Sequence, residues 1–493
     1  MRLSLALLAP LAITAADWPQ FRGPNGSGVA SESHNLPKLI APDQNVLWKI
    51  NTPSGHSSPI VVGDRIIITG VEGGERKQVQ PGRVTDPGGK LVTLCLDRAT
   101  GKLLWRAEVP RPRVEVYQPT NSPASPSPAS DGQRVVVFFG DFGILSYDVK
   151  TGKEQWRLPL GPFNNPNGHG SSPILVDGLV VLLCDQDSDS YLLAVDLKSG
   201  KVRWKTPRPE STRSYSTPAV YRPAAGKGES ELIVPGAFNL TAYGTSTGEK
   251  LWWIRGMSWQ PKSSPVVDGE MIYAHWWESG GESESAAVTM SFAEALEKYD
   301  ANKDGKIAKD EVDEKMRRGW DDLDLNHDGF LDARDWEFYV ARRASRNALL
   351  AIRHGVRGDL TESKSIVWRI QKYLPNVPSP LLLNGVIYLI KDGGILTAVD
   401  AKTGGLLKQG RLTGALDTYY SSPVTDGARL YFMSQTGKFS IVKEGGTDWE
   451  VESVTDFAED SFGTPAIASD TLYLRTRTHL YAFQSSHPSE PRP

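Results

Sequence analysis

The sequence has few cysteines and no excess of either charge. Its 493 residues contain only two cysteines, Cys95 and Cys184, which are too few and too far apart for a disulfide framework, a CxxC redox pair or a cysteine-rich zinc site. The 55 basic and 58 acidic residues leave a formal net charge of -3, so the polycationic surface of a general nucleic-acid binder is missing. We therefore expect no nucleic-acid partner and two buried cysteines.

Long apolar runs are also missing. No stretch approaches the roughly 20 apolar residues that span a membrane, so no transmembrane segment is predicted. Residues 1–16 contain Arg2, the apolar run Leu3 to Ile13 and the small residues Thr14 to Ala16, which together predict a cleaved signal peptide. A membrane anchor is the alternative, but the apolar run is short and Pro10 interrupts it. We expect a soluble, monomeric protein that is exported to the periplasm or the extracellular space.

Glycine and proline are abundant, with 47 and 34 residues, and much of this surplus belongs to repeats. One repeated motif is a strand, an Asp- or Ser/Thr-containing turn that ends in Gly, and a second strand that carries Trp. Such turns favour β-hairpins because the polar side chain bonds the turn backbone and Gly tolerates positive φ. Four copies are complete and a fifth, near Asp400, lacks the tryptophan; the complete copies end at Trp105, Trp156, Trp204 and Trp252.

A second motif, a Ser/Thr-Pro step that opens an apolar strand, occurs eight times. Most of its intervals are close to the period of a four-stranded propeller blade. We therefore predict an all-β, eight-bladed β-propeller of four-stranded blades, in which the strand around Trp48 completes the last blade at the C-terminus. Several small unrelated β domains are the alternative. The prolines are Pro59, Pro128, Pro173, Pro218, Pro265, Pro380, Pro423 and Pro465.

These repeats resemble those of the pyrroloquinoline-quinone-like (PQQ-like) propeller family, which includes quinoprotein alcohol dehydrogenases and the outer-membrane assembly propeller. The opening WPQFRGPNGSG, Trp18 to Gly28, resembles the start of secreted bacterial members. The resemblance implies the propeller fold over nearly the whole mature chain. It implies much less about chemistry, because one fold carries many functions.

One interval between the prolines holds a foreign segment with helical periodicity, residues 280–346, inside the fifth blade. The expected organisation is a signal peptide at 1–16, propeller at 17–279 and 347–493, and a small α-helical EF-hand pair between them. The segment contains DANKDGKIAKDE, which has the EF-hand pattern of oxygen ligands and a turn glycine. We predict a strong calcium site whose ligands are Asp300, Asn302, Asp304, the Lys306 carbonyl and Glu311.

A second loop, DLNHDGFLDARD, repeats the pattern with an Asp in the last ligand position. Because this acid is shorter than Glu, we predict a weaker calcium site. Calcium could act as a sensor signal or as a structural ion, and we favour the structural role because extracellular calcium is steady and abundant. The ligands of the second loop are Asp324, Asn326, Asp328, the Phe330 carbonyl and Asp335.

The connections that enter each blade should lie at one face of the propeller, together with the insert. We expect this decorated top face to bind a protein or carbohydrate partner, although ordinary loop packing explains the same residues. The predicted binding ring is His56, His169, Tyr215, Trp259, Lys262, Tyr420 and Phe462.

The resemblance leaves two functions open. In the family's dehydrogenases the quinone lies between a Trp and a ring of adjacent disulfide-bonded cysteines, with calcium and an Asp base beside it. Cys95 and Cys184 cannot supply that ring, and no CxxCH haem motif is present. We therefore favour a non-catalytic binding or scaffold protein without bound PQQ and assign no catalytic residue; the alternative is a quinoprotein oxidoreductase acting on alcohols or sugars.

Overall fold

A computed structural model of the chain describes residues 17–30, 35–224, 228–279, 281 and 290–485. Within these residues, eight antiparallel sheets form the blades of a β-propeller, as the repeats predict. The predicted signal peptide lies outside the described residues. No helix in the described part of the chain is long and apolar enough to cross a membrane.

The first four blades follow an opening strand, Val46–Asn51 (β1). A two-stranded hairpin, β4 and β5, lies between the second and third strands of the first blade. The strands of these blades are Ile60–Val62 (β2), Arg65–Glu72 (β3), Lys77–Gln80 (β4), Arg83–Thr85 (β5), Lys90–Asp97 (β6), Leu103–Val109 (β7), Ala129–Ser130 (β8), Arg134–Phe139 (β9), Gly143–Asp148 (β10), Glu154–Pro159 (β11), Ile174–Val176 (β12), Leu179–Cys184 (β13), Tyr191–Asp196 (β14), Val202–Pro207 (β15), Ala219–Tyr221 (β16), Glu231–Gly236 (β17), Asn239–Gly244 (β18) and Lys250–Arg255 (β19).

The fifth blade begins with Val266–Asp268 (β20) and Met271–Trp276 (β21). A helical segment follows β21, in the blade where the sequence predicts the EF-hand pair. The elements of this segment are α1 (Phe292–Tyr299), β22 (Ile307–Ala308), α2 (Glu314–Arg318), a 3₁₀ turn (Trp320–Asp322), β23 (Phe330–Leu331) and α3 (Ala333–Ala344).

The remaining strands complete the ring. One of them, β25, leaves its own blade and pairs in parallel with β19 of the fourth blade. These strands are Ala348–Arg353 (β24), Gly358–Asp359 (β25), Ile366–Ile370 (β26), Leu381–Leu383 (β27), Val386–Lys391 (β28), Ile395–Asp400 (β29), Leu406–Arg411 (β30), Val424–Thr425 (β31), Arg429–Met433 (β32), Lys438–Lys443 (β33), Glu450–Asp456 (β34), Ala466–Ala468 (β35), Thr471–Arg475 (β36) and His479–Gln484 (β37).

The burial of each strand follows its place in the blade. The two middle strands are apolar and almost wholly buried, as in β13 and β14, because blades pack against both of their faces. The outermost strand alternates between exposed and buried residues, as in β11, because its edge faces solvent. Cys95 and Cys184 are both free and buried in these middle strands, which confirms their prediction as core residues.

The last blade is closed by the first strand of the chain. Strand β1 pairs antiparallel with β37, and Trp48 lies opposite Ala482. This pairing confirms the predicted closure. It joins the two ends of the propeller in one sheet, so the ring of blades has no open end.

Tryptophans of the outermost strands join neighbouring blades. The indole of Trp105 donates a hydrogen bond from Nε1 to the Val149 carbonyl of the next blade at 2.9 Å. Its ring covers Gly152, where a Cβ would lie 2.5 Å from the indole and where φ is 69°. Glycine is therefore needed both for the turn and for the close approach of the tryptophan. Equivalent indole bonds are made by Trp48, Trp156, Trp204 and Trp368.

A second set of bonds joins the blades around the channel. The Ser or Thr before each strand-opening proline accepts, through its hydroxyl, the backbone N–H of the matching residue in the preceding blade. Seven of the eight junctions have this bond, at 2.9 to 3.0 Å. At the junction between blades four and five, no bond from Thr217 to Ser264 is present in the described structure, and the Ser264 hydroxyl is buried without a partner.

This difference between junctions predicts different costs for the same substitution. Ser172→Ala removes the acceptor for the buried N–H of Ser127, so we expect it to lower the free energy of unfolding by about 1 to 3 kcal/mol. Ser264→Ala removes a hydroxyl that accepts no bond from the preceding blade, so it should change stability by well under 1 kcal/mol. Urea denaturation of the two variants measures the difference, and equal destabilisation would contradict the role of the hydroxyl bonds.

Candidate functional site

A cavity of about 550 Å³ opens at one mouth of the channel, where the connections between blades meet. Its volume is in the range of about 300 to 1,000 Å³ that is typical of small-molecule sites. Every connection contributes the residue three positions before the strand-opening proline. These eight residues are His56, Ser125, Gly170, Tyr215, Lys262, Val377, Tyr420 and Phe462.

Residues 17–30 lie across the channel at the far ends of the inner strands. Trp18 N donates to Val61 O of the first blade at 2.8 Å, and Asn25 Nδ2 donates to Val220 O of the fourth blade at 2.9 Å. Phe21, between these two attachments, lines the cavity from below. The cavity therefore has a floor, a role that nothing in the opening motif WPQFRGPNGSG predicts.

Six of the seven predicted ring residues line this cavity, and the structure differs from the prediction at His169. Its Nε2 lies 3.3 Å from Glu115 Oε2, and its ring packs edge-on against Phe163 with centroids 4.6 Å apart. The repeat explains the difference, because His169 stands one position before the residue that each connection directs into the channel, which here is Gly170. His169 is therefore not part of the cavity lining.

Aromatic residues of three neighbouring blades form one wall. His56 stacks on Phe462 with ring centroids 4.0 Å apart, and Tyr420 packs against Phe462 at 5.3 Å. Burial, followed by the charge of Arg475, lowers the pKa of His56 to about 3. His56 is therefore a neutral ring at physiological pH, and this wall is aromatic and carries no charge of its own.

Lys262 contributes a positive charge from the connection into the fifth blade. Its Nζ donates to the Gln260 carbonyl at 3.0 Å, and no carboxylate of the described residues lies within ion-pair distance. Burial lowers the pKa of Lys262 to about 8. The ammonium is therefore mostly charged at neutral pH, and the carboxylate whose charge acts on it, Glu278, is already paired with Arg342.

The helical segment contributes another part of the lining. Arg342 of α3 forms an ion pair with Glu278 at 2.6 Å and with Asp322 at 3.5 Å. Its guanidinium also lies over the Trp259 ring, 4.0 Å from the centroid. The segment thus rests on the propeller at the channel mouth rather than extending into solvent.

Below this contact lies a buried ion pair of the propeller itself. Arg213 Nε donates to Asp187 Oδ1 at 2.6 Å, with both side chains almost wholly buried. Arg213 also contacts Asp322 at 3.3 Å and the Trp259 ring at 4.8 Å. Arg213 therefore has two roles: it forms an ion pair within the propeller, and it helps to attach the helical segment.

Five charged lining residues are not in the predicted ring, and four of them lie outside the repeat: Arg83, Glu278, Asp322 and Arg342. They come from the β4–β5 hairpin and from the insert and its entry. Because these segments are outside the repeat, no period indicates which of their side chains reach the channel. Only the tertiary structure brings them to the mouth.

The backbone of the first predicted calcium loop folds around the carboxylates of Asp300 and Glu311. Asp300 accepts the N–H groups of Asp304 and Gly305, and Glu311 accepts the N–H of Ala301 at 3.0 Å. The chain turns at Gly305, where φ is 82°. The side chains at the predicted ligand positions offer carboxylate and amide oxygens to a metal ion, which fits a hard cation such as calcium.

The second loop repeats this arrangement. Asp324 accepts the N–H groups of Asp328 and Gly329, and Asp335 accepts the N–H of Leu325 at 3.2 Å. Strands β22 and β23 pair the two loops, with Ile307 opposite Leu331. The paired loops therefore have matching conformations, although the two final acids differ in length.

The carboxylates of the two loops differ in exposure. In the second loop, Asp324 and Asp335 are buried, whereas Asp300 and Glu311 of the first loop lie closer to solvent. Burial raises the pKa of Asp335 to about 7. No three His, Cys, Asp or Glu side chains of the described residues form a metal site by themselves, so amide and main-chain oxygens would have to complete either one.

The attachment of the helical segment predicts unequal effects of two arginine substitutions. Arg213→Gln leaves the buried Asp187 carboxylate without its charge partner, so we expect a loss of about 3 to 5 kcal/mol of unfolding free energy. Arg334→Gln removes one bond from a half-buried guanidinium to the Asp187 carbonyl and should cost about 1 kcal/mol. Urea denaturation compares them, and a smaller loss for Arg213→Gln than for Arg334→Gln would contradict the assignment.

Comparison with known proteins reveals one family. The family model described as outer membrane protein assembly factor BamB matches residues 39–281 and 331–490. The residues between the two matched ranges include most of the helical segment, so the match follows the propeller repeats. None of the curated proteins matches the chain.

Solved structures share the fold at low sequence identity. BamB from Moraxella catarrhalis is 12% identical with a TM-score of 0.51, over 90% of this chain and 100% of that one. A europium-containing methanol dehydrogenase is 12% identical with a TM-score of 0.54, over 96% and 98%. The computationally designed Ika8 protein is 9% identical with a TM-score of 0.51, over 88% and 98%. At these identities the similarity shows the fold alone.

Proposed function

Since the chain belongs to the family of the outer membrane protein assembly factor BamB, we propose that it is a non-catalytic binding or scaffold protein of the periplasm or the cell exterior. Its channel mouth is the binding surface, and the helical segment holds calcium. The partner is a protein or a carbohydrate.

The state of the carboxylates at the channel mouth carries this proposal. Among the described residues that line the cavity, only Glu278 and Asp322 are acidic, and Arg342 pairs with both. A carboxylate held by arginine is a poor general base, because proton uptake would break the ion pair. His56 is a weak base, since burial lowers its pKa to about 3. The acids and His56 of the described lining are therefore poor proton acceptors, and Lys262, whose pKa is about 8, is mostly protonated at neutral pH and thus available to bind an anion.

A PQQ-dependent dehydrogenase is the second candidate, favoured by the similarity in fold to the methanol dehydrogenase. The residues present do not fit the quinone site that the family resemblance implies. Cys95 and Cys184 are free, buried and located in the first and third blades, so they form no ring of adjacent disulfide-bonded cysteines at the channel mouth. We therefore derive no oxidation step for this chain.

Reconstitution with the quinone distinguishes the two candidates. Purified protein incubated with PQQ and calcium should retain no stoichiometric quinone absorbance after gel filtration and should reduce no dye with alcohols or sugars. A known quinoprotein dehydrogenase treated in parallel is the positive control. Retained quinone together with dye reduction would overturn the non-catalytic proposal.

Calcium in this proposal stabilises the helical segment and its contact with the propeller. The second loop carries that contact, because Asn164 Nδ2 donates to Leu325 O at 2.8 Å and Arg334 donates to Asp187 O at 2.8 Å. The ion would neutralise Asp324 and Asp335, which are otherwise buried acids without an ion-pair partner among the described residues; they accept backbone N–H groups and, at Asp324, the indole N–H of Trp320. The first loop has no comparable contact with the propeller among the described residues.

Calorimetry with and without chelator tests the calcium role. At a Kd near 10⁻⁵ M and millimolar calcium, the ion should add about 2.7 kcal/mol of stability. Asp324→Asn should remove most of the stabilisation by calcium of the contact between the helical segment and the propeller. Glu311→Gln should remove only the stabilisation due to calcium in the first loop. Identical melting of the wild-type protein in calcium and in chelator would overturn the role.

A further inference from the structure

We infer that the channel-mouth cavity binds an anionic saccharide, with the sugar ring against the aromatic wall of His56, Tyr420 and Phe462 and the acidic group at Lys262. This inference rests on the proposed binding function and names the chemical class of the ligand. The carboxylate of a uronic acid and the sulfate ester of a sulfated sugar both supply the required charge.

The charges of the lining favour an anion. Four basic residues line the cavity, and two of them, Arg213 and Arg342, are already paired with acids. The other two, Arg83 and Lys262, form no ion pair with an acid of the described residues; the acid whose charge acts on Lys262, Glu278, is itself held by Arg342. An unpaired cation in a partly desolvated site is costly, and an anionic ligand removes that cost. A neutral or basic ligand would leave both cations unpaired.

The positive charge and the aromatic wall lie on different sides of the channel. Lys262 precedes the fifth blade and His56 precedes the first, so four blades separate them in a ring of eight and they face each other. Phe462 and Tyr420 extend the wall on the side of His56. A ligand that satisfies both sides must combine an apolar ring face with an acidic group at its other end. A sugar acid has this combination.

Unpaired amide and indole groups match the hydroxyls of a sugar. Asn167 lines the cavity and is only 6% exposed; its Nδ2 donates to Tyr215 Oη at 2.7 Å, but its Oδ1 has no partner in the described structure. The indole Nε1 of Trp259 is likewise buried without a partner. Buried polar groups are normally hydrogen-bonded, and sugar hydroxyls can both donate and accept. Both atoms are covered in the described structure, so a polyhydroxylated ligand reaches them only once the Asn167 and Trp259 side chains shift.

Three monosaccharides that share one ring test the inference. Glucose, glucuronate and glucose 6-sulfate differ only at C6, so stacking is kept while the charge changes. We expect the calcium-loaded wild-type protein to bind glucuronate or glucose 6-sulfate about tenfold more tightly than glucose, as measured by ligand-observed NMR titration. The tighter of the two acids identifies the source of the charge.

Matched variants separate the charge from the wall. Lys262→Met should abolish the preference for the acid over glucose, and Lys262→Arg should restore it. Phe462→Ala should weaken all three sugars about tenfold. Lys198→Met is the control, because Lys198 is an exposed lysine of a turn at the other face of the propeller, and it should change nothing. Thermal melting of every variant confirms that it is folded.

Each contrary result has a distinct meaning. Equal binding of glucose and both acids, binding of none of the three, or an unchanged preference in Lys262→Met overturns the anionic-saccharide site. These results leave the non-catalytic function and the calcium role standing, because reconstitution with quinone and melting in chelator test those separately. If PQQ binds stoichiometrically and displaces the sugars, the cavity is a quinone site and both proposals fail.

Discussion

Eight separate sheets form one ring here, and the structure depends on the hydrogen bonds that join each blade to the next around the channel. At most junctions, the backbone N–H of the residue before a strand-opening proline donates to the hydroxyl of the matching residue in the next blade. The series begins at the N–H of Ser58 and closes where the N–H of Thr464 donates to the Ser58 hydroxyl. The bond is buried, so losing it leaves an unsatisfied donor rather than a solvated one. Because each hydroxyl stands two residues after a lining residue, the bonds that close the ring also set the positions of the side chains at the channel mouth.

The junction between blades four and five is built differently. The hydroxyl bond is missing there, and Trp252 donates to Glu231 of its own blade instead of to the next one. Glu231 also pairs with His354 and Arg357 from the fifth blade, and β25 adds a parallel strand to the fourth. The helical segment enters the fold at this same fifth blade. Ion pairs and an added strand thus hold the fourth and fifth blades together at this junction. The ring stays closed here although the fifth blade carries a long insertion.

The channel mouth combines parts of different origin. The repeat supplies its regular ring, the segment before the first blade supplies a floor through Phe21, and the helical segment supplies Asp322 and Arg342. Both acids of the described lining form ion pairs, Asp322 with Arg213 and Glu278 with Arg342. The lining charges that remain without an ion-pair partner are therefore positive. This distribution of charge supports both proposals, because the paired acids are poor general bases and Lys262 stays available to an anion.

Sequence patterns alone predict the number of blades, the closure of the last blade through Trp48, the position of the helical segment and six residues that line the cavity. These features repeat along the chain or follow from local turn chemistry, so neighbouring residues are enough to reveal them. His169 lies outside the cavity lining, because a one-residue shift turns its side chain away from the channel. The positions of Phe21, Asp322 and Arg342 at the channel mouth, and the pairing of Arg213 with Asp187, follow only from the three-dimensional fold. Their partners are distant in sequence and outside the repeat, and packing alone brings them together.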